Sequence, residues 1–408
     1  MGDDTASSIS PARDWSDLPP DLLVSVLRLL LETRDLFACA AVSLRWRAAC
    51  AAARQLGLWP DKGPYLIYSS SDRDAGTATL RNISTGRSFH ATLPDNPPFR
   101  SRYVVGSSRG WLVAADEQSD LHLLNPVTGA QIALPRAHTM TGRRRTTTRR
   151  NQPWFFPANK TRLYLYEKAV LSSDPSTSDC CTVLLKHRPW EHLSFARVGD
   201  DSKWTWLDSN EHCDHYHDFF FDDGDGLFYA IRDSGDIHTI DLSGPRPVIK
   251  VVFKFRSHST FYTRYLVRAP WGDLLRVRRL YGTPPQQDNP EGNNMLDDDM
   301  GEVAADSVDL DKETVSRVTN LRDHVLFVGF NDTFMLPAAD FPRLAPNCVY
   351  MTDDNTEFIY HNPEGSWRQL ARVNLEDGSF NDLSLPDSLL DWPPPVWFRP
   401  SSCSPQIN

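Results

Sequence analysis

Up to about Pro60 the apolar positions recur at helical intervals. Leu22, Leu23, Val26, Leu27 and Leu30 fall on one stripe of an amphipathic helix that Pro19 and Pro20 can open. Glu32 and Thr33 interrupt it, and Thr33 is placed to cap a second short helix through Leu36, Phe37 and Ala40. A third helix is predicted after the cap residue Ser43, with Trp46 and Cys50 on one face. Three helices in about 40 residues make a core at the edge of independent stability, so this unit is expected to lean on a partner or on the rest of the chain.

From about Pro64 the pattern changes to short alternating stretches rich in Val, Ile, Tyr, Phe and Trp, broken by Gly, Pro, Asn and Asp at intervals of roughly 8–12 residues. A turn signature repeats within it. Asn82 to Gly86, Asn125 to Gly129 and Asn374 to Gly378 each place Asn four residues before Gly, and Leu93-Pro94, Leu134-Pro135 and Leu385-Pro386 close the strands that follow. Ile240-Asp241-Leu242-Ser243-Gly244 is a shortened copy. The first two copies stand 43 residues apart, the length of a four-stranded propeller blade. Gly110-Trp111, Gly226-Leu227 and Trp271-Gly272 read as the leads of inner strands. With strand pairs near Tyr164/Val183, Val325/Val349 and Tyr65/Leu80 they give about six blades, seven being possible. A pair of β-sandwiches is the alternative, and it accounts less well for the recurring spacing.

Composition narrows the picture. The 408 residues carry 43 basic and 53 acidic side chains, a formal charge of −10, which argues against general nucleic-acid binding. Much of that charge is local. Asp288 to Glu313 holds ten acids against Lys312, whereas Thr139 to Gln152 holds Arg143, Arg144, Arg145, Arg149 and Arg150, and both segments read as loop insertions. The polar, acidic start lacks a secretory pattern, and the apolar run from Leu22 to Leu31 is about half a bilayer span, so neither export nor membrane insertion is expected. Seven cysteines without a CxxC pair fit a reducing compartment, cytoplasm or nucleus. The expected organisation is multidomain, α followed by all-β: a tail over 1–13, a three-helix unit over 14–60, a propeller over 61–400 with insertions at 139–152 and 288–313, and a tail over 401–408.

Candidate chemistry is sparse. Cys213, His215 and His217 alternate on one strand face, but ligands so placed spread over about 13 Å and rarely enclose one ion, so a polar strand end is the simpler reading. Asp222-Asp223-Gly224-Asp225-Gly226 lacks the later oxygen ligands of a calcium loop and reads as a hairpin turn. No phosphate loop, zinc helix or nucleophile elbow occurs, and Cys180-Cys181 fit packing better than catalysis. No cofactor or metal is expected. The arginine loop could serve as a nuclear signal or as a grip on an acidic segment.

Leu18-Pro19, Leu22-Leu23 and Val26, then Asp35-Leu36, then Cys39, Val42 and Trp46-Arg47 together resemble an F-box. Leu44-Arg45, where that family commonly has Cys-Lys, is the one departure noted. The resemblance implies docking to the Skp-type adaptor of a cullin-RING (SCF) ubiquitin ligase, with Leu18, Pro19, Leu22, Leu36, Val42 and Trp46 meeting the adaptor or supporting the helices that do. The β region, through Gly106 to Leu112, Leu123 to Gly129, Leu321 to Gly329, Leu336-Pro337, Asp340 to Pro342 and Asn347 to Tyr350, is similar to the KIB-type propeller of plant F-box proteins. What the two resemblances imply is a non-catalytic adaptor whose propeller binds a protein substrate; Trp111, Trp154, Trp190 and Trp271 are candidate anchors or, equally, core residues, since tryptophan is often mostly buried. A propeller that acts outside such a ligase, or a propeller enzyme, are the alternatives.

Overall fold

The computed structural model describes residues 18–30, 35, 39, 42–55, 63–140, 158–188, 192–207, 215–255, 263–279, 302–341, 343–361 and 370–400. The chain divides into two compact units between Lys62 and Gly63. In the first, helix Pro20–Leu27 starts with proline at its first position, where a missing N–H costs nothing. Helix Leu44–Gln55 is capped by Ser43, whose Oγ accepts the Trp46 N–H at 3.3 Å. Leu23, Leu27, Trp46, Ala49, Cys50 and Ala53 form the small core between these helices. Leu36 and most of the segment predicted as a second helix lie outside the described residues, although Asp35, Cys39 and Val42 are helical. No helix among the described residues is long and apolar enough to cross a membrane.

The second unit holds six sheets. Four are four-stranded antiparallel meanders in chain order, running from Tyr103–Ser108 to Gln131–Ala133, Tyr166–Leu171 to Thr205–Trp206, Tyr216–Asp222 to Val248–Phe253, and Thr263–Arg268 to Thr314–Val318. Their leading strands pack on one another and are buried, while three of their last strands are largely exposed and Thr205–Trp206 is half-buried. This is a six-bladed propeller, the fold class expected from the recurring turns and the lower of the two blade numbers left open. The first blade is completed by the end of the chain: Val396–Phe398 pairs with Tyr65–Ser70, which leads into Thr77–Asn82 and Ser88–Thr92. Trp397 is fully buried there, 5.1 Å from the Phe327 ring of the sixth blade.

The repeated signature is a single turn built three times. In each copy the Gly N–H donates to the Asn carbonyl, at 2.8, 2.9 and 3.0 Å for Gly86, Gly129 and Gly378, and the Asn Oδ1 accepts N–H groups inside the turn. The three glycines have φ of 74, 73 and 71°, a conformation that side-chain-bearing residues rarely adopt. All three turns feed the outermost strand of a blade.

Several sequence expectations need correction. Trp111 and Leu227 begin second strands rather than inner ones, because Gly110, Gly226 and Gly272 occupy the turns after the leading strands. Tyr164 belongs to helix Ala158–Leu165, and the strand facing Val183 starts at Tyr166. Val325 and Val349 do sit on paired strands, but those strands run parallel, because the chain between them forms a further antiparallel strand, Phe334–Pro337, before returning. The acidic segment is not a loop throughout. Val303–Asp309 is a strand with Val303, Ala304 and Ala305 buried, a consecutive apolar run that outweighs its carboxylates. Residues 141–157 and 280–301 lie outside the described set.

Candidate docking helices and the propeller axis

The helical unit separates the sequence-predicted contact residues into two groups. Trp46 is 6% exposed and belongs to the interior, and Leu18 packs partly against the same core. Pro19 is exposed, and Leu22 and Val42 are 52% and 61% exposed. Leu29 and Leu44, which the motif did not single out, are more exposed still, at 80% and 78%. Apolar positions three and four apart predict that a helix has an apolar stripe, but they do not say which half of that stripe the neighbouring helix covers.

The propeller axis is occupied by the protein's own charges. Lys168, on the leading strand of the third blade, places its Nζ 2.5 Å from Asp218 Oδ1 on the leading strand of the fourth. The same Nζ donates to the Gly329 carbonyl at 3.3 Å, and Asp218 Oδ2 accepts the Leu266 N–H of the fifth blade at 2.9 Å. Asp332 joins the sixth blade to the second: its N–H donates to the Ser107 carbonyl at 2.7 Å, and its Oδ2 accepts from Ser108 Oγ at 3.1 Å. Five blades are thus tied together at their inner edges. Gly106 allows this closeness, because a Cβ there would stand 2.3 Å from the Ala169 carbonyl oxygen. Further out, buried Glu167 is shared by Lys186 and Arg188, at 3.0 and 2.8 Å. Burial would raise its carboxyl, but the two cations more than offset that and hold it below the usual range.

Two buried groups near this network titrate in opposite senses. His187, fully buried and bonded to Ser194 Oγ at 2.8 Å, is pushed down to about 4 by burial. The unfolded chain therefore binds the proton first, and stability falls as pH drops from about 6.5 towards 4. Asp332 is pushed up to about 6, chiefly by burial, against the pull of Arg109 and Lys168. Its folded form takes up the proton first, so its contribution rises as pH falls from about 6 towards 3.8. Melting temperatures measured across this window are expected to fall less steeply with acid in His187→Gln, and more steeply in Asp332→Asn, than in the parent.

The remaining candidates are less suggestive of chemistry. His217 Nε2 is 3.1 Å from Asp233 Oδ1, and Asp218 is committed to Lys168, while Cys213 lies outside the described residues. No cluster of metal-ligating side chains occurs among the described residues. Asp222 to Gly226 forms the predicted hairpin turn, with Asp222 Oδ1 accepting the Gly224 N–H. Trp111 is not a surface anchor: it is 2% exposed, with its indole N–H donating to Asp174 at 2.9 Å. Trp271 is half-buried under Arg322, and Trp154 and Trp190 lie outside the described residues.

A small helical unit with exposed leucines, followed by a six-bladed propeller whose leading strands are joined by the buried Lys168–Asp218 pair, defines an F-box propeller protein. Comparison with known proteins agrees. Residues 15–56 match the F-box-like family and residues 80–368 match the KIB1-4 beta-propeller family. The chain belongs to the KIB1-4 beta-propeller family. An F-box protein of Arabidopsis thaliana is 26% identical over 240 residues, covering 58% of this chain and 59% of its own length. The F-box protein KIB4 of the same plant is 23% identical over 277 residues, covering 63% and 68%. Among solved structures, a catalytically inactive virginiamycin B lyase from Staphylococcus aureus aligns at a TM-score of 0.35 and 12% identity, covering 79% of this chain and 84% of its own, too distant to bear on function.

Proposed function

We propose that this chain is the substrate-recognition subunit of an SCF-type cullin-RING ubiquitin ligase, working in the cytoplasm or nucleus. Its helices dock the Skp-type adaptor, and its propeller holds a protein substrate without catalysing the transfer. The observation that carries this reading is the exposure of Leu22, Leu29, Val42 and Leu44 on a unit too small to leave so much apolar surface in water at no cost. Burying one such side chain in a partner's groove is worth about 1.5–3 kcal/mol before ordering costs. The propeller suits a presenting role because its rim turns are mounted on rigid sheets, and its axis is committed to structural ion pairs.

The test is capture of the full-length chain by a purified Skp-type adaptor. Leu22→Asp and Val42→Asp are each expected to weaken capture at least about tenfold, roughly 1.4 kcal/mol. Helical content should stay unchanged, because both side chains point away from the core. Undiminished capture in the double variant would refute adaptor docking through these helices.

A further inference from the structure

Of the 43 basic side chains, 35 are arginine and eight are lysine. The lysines are 62, 160, 168, 186, 203, 250, 254 and 312, so residues 1–61, 63–159 and 313–408 contain none. Both residue types serve as exposed solubilising cations, but only lysine carries an amine that can be deprotonated and attack an acyl group. The docking helices and the first, second and sixth blades therefore display positive charge without an acceptor amine.

Placement in the fold removes further candidates. Lys168 and Lys186 are held in ion pairs with Asp218 and Glu167, with side chains only 7% and 14% exposed. Lys312 is exposed, but its Nζ lies 2.7 Å from Asp309, which favours the protonated, non-nucleophilic form. Lys62 lies outside the described residues. Lys160, Lys203, Lys250 and Lys254 are exposed. Lys160 is in the helix leading into the third blade, and Lys203 is in the turn before that blade's outermost strand. Lys250 is on the outermost strand of the fourth blade and Lys254 directly follows it.

Resting on the ligase reading above, we propose that when the assembled ligase modifies its own receptor, ubiquitin is transferred to Lys160, Lys203, Lys250 and Lys254, in preference to the other lysines of the described residues, Lys168, Lys186 and Lys312, which are held in ion pairs. In each transfer the neutral ε-amine attacks the thioester carbonyl carbon at the ubiquitin carboxyl terminus. The new C–N bond forms as the C–S bond breaks, the electron pair leaves with the conjugating enzyme's cysteine sulfur, and the amine proton passes to solvent. An arginine at the same place stays protonated and cannot make this attack.

The experiment assembles full-length chain with Skp-type adaptor, cullin-RING core and ubiquitin-charged conjugating enzyme, and maps ubiquitin remnants by mass spectrometry. The parent is compared with the fourfold variant Lys160→Arg, Lys203→Arg, Lys250→Arg and Lys254→Arg, which keeps every charge. Remnants on these four lysines, and loss of conjugates in the variant with adaptor capture intact, are expected. Undiminished conjugates in the variant, remnants chiefly on Lys62, Lys312 or the amino terminus, or an unmodified parent in a ligase that still discharges ubiquitin to free lysine would overturn the assignment. Failure of the parent to bind adaptor at all is a different result, and it removes the ligase reading itself.

Discussion

Replacing Asp218 by alanine is expected to destabilise the propeller by about 3–5 kcal/mol, because it leaves the Lys168 ammonium buried without its counter-charge. The side chains are 7% and 1% exposed, so neither water nor salt can substitute for the missing carboxylate. The Leu266 N–H loses its acceptor in the same step, which weakens the joint between the fourth and fifth blades. Denaturant unfolding of the parent and variant measures the loss. The double variant Lys168→Met with Asp218→Asn should recover the larger part, since no charge is then buried and the amide oxygen can still accept from Leu266. A double variant as unstable as the single one would mean that the charge pair is not the source of the effect.

The second large effect is expected at Trp46. It fills the core of the helical unit together with Leu23, Leu27 and Cys50, and removing a buried indole costs about 3–5 kcal/mol. A core of this size rarely supplies more than about 3–5 kcal/mol altogether, so Trp46→Ala should melt the helices. Adaptor capture should be lost with them, while the melting transition of the propeller is retained. This contrasts with Leu22→Asp, where capture is weakened and the helices persist. Helical ellipticity recorded alongside capture separates the two cases, and Trp46→Ala that still captured adaptor with native helicity would contradict the interior role of this residue.

That contrast shows how far the sequence reaches. The motif placed Leu22, Val42 and Trp46 together as contact or supporting residues, and the structure separates them into outer surface and interior. Leu29 carried no motif signal and Leu44 stood only as a departure from the motif, yet they are the most exposed large apolar residues among the described residues of the unit. Their exposure depends on where helix Leu44–Gln55 crosses helix Pro20–Leu27, which apolar periodicity does not specify. Leu36 lies outside the described residues. In the propeller, the sequence leaves Trp111 open between rim anchor and core, because tryptophan suits either. Its burial depends on Asp174, 63 positions away, which accepts its indole N–H.

What the sequence by itself determined was local. The Asn-to-Gly turns, the Pro and Ser caps of the helices and the alternation of the strands all rest on interactions between residues a few positions apart, so the propeller class was legible and the number of blades came to about six, with seven possible. The tertiary structure alone decided the pairing of Val396–Phe398 with Tyr65–Ser70, the parallel strands of the sixth blade, and the Lys168–Asp218 pair at the axis. These join residues from 23 to more than 300 positions apart, and any of several valines, lysines or aspartates would have matched the local pattern equally well. Closure of the ring brings one particular set within bonding distance, and burial then makes that choice costly to undo.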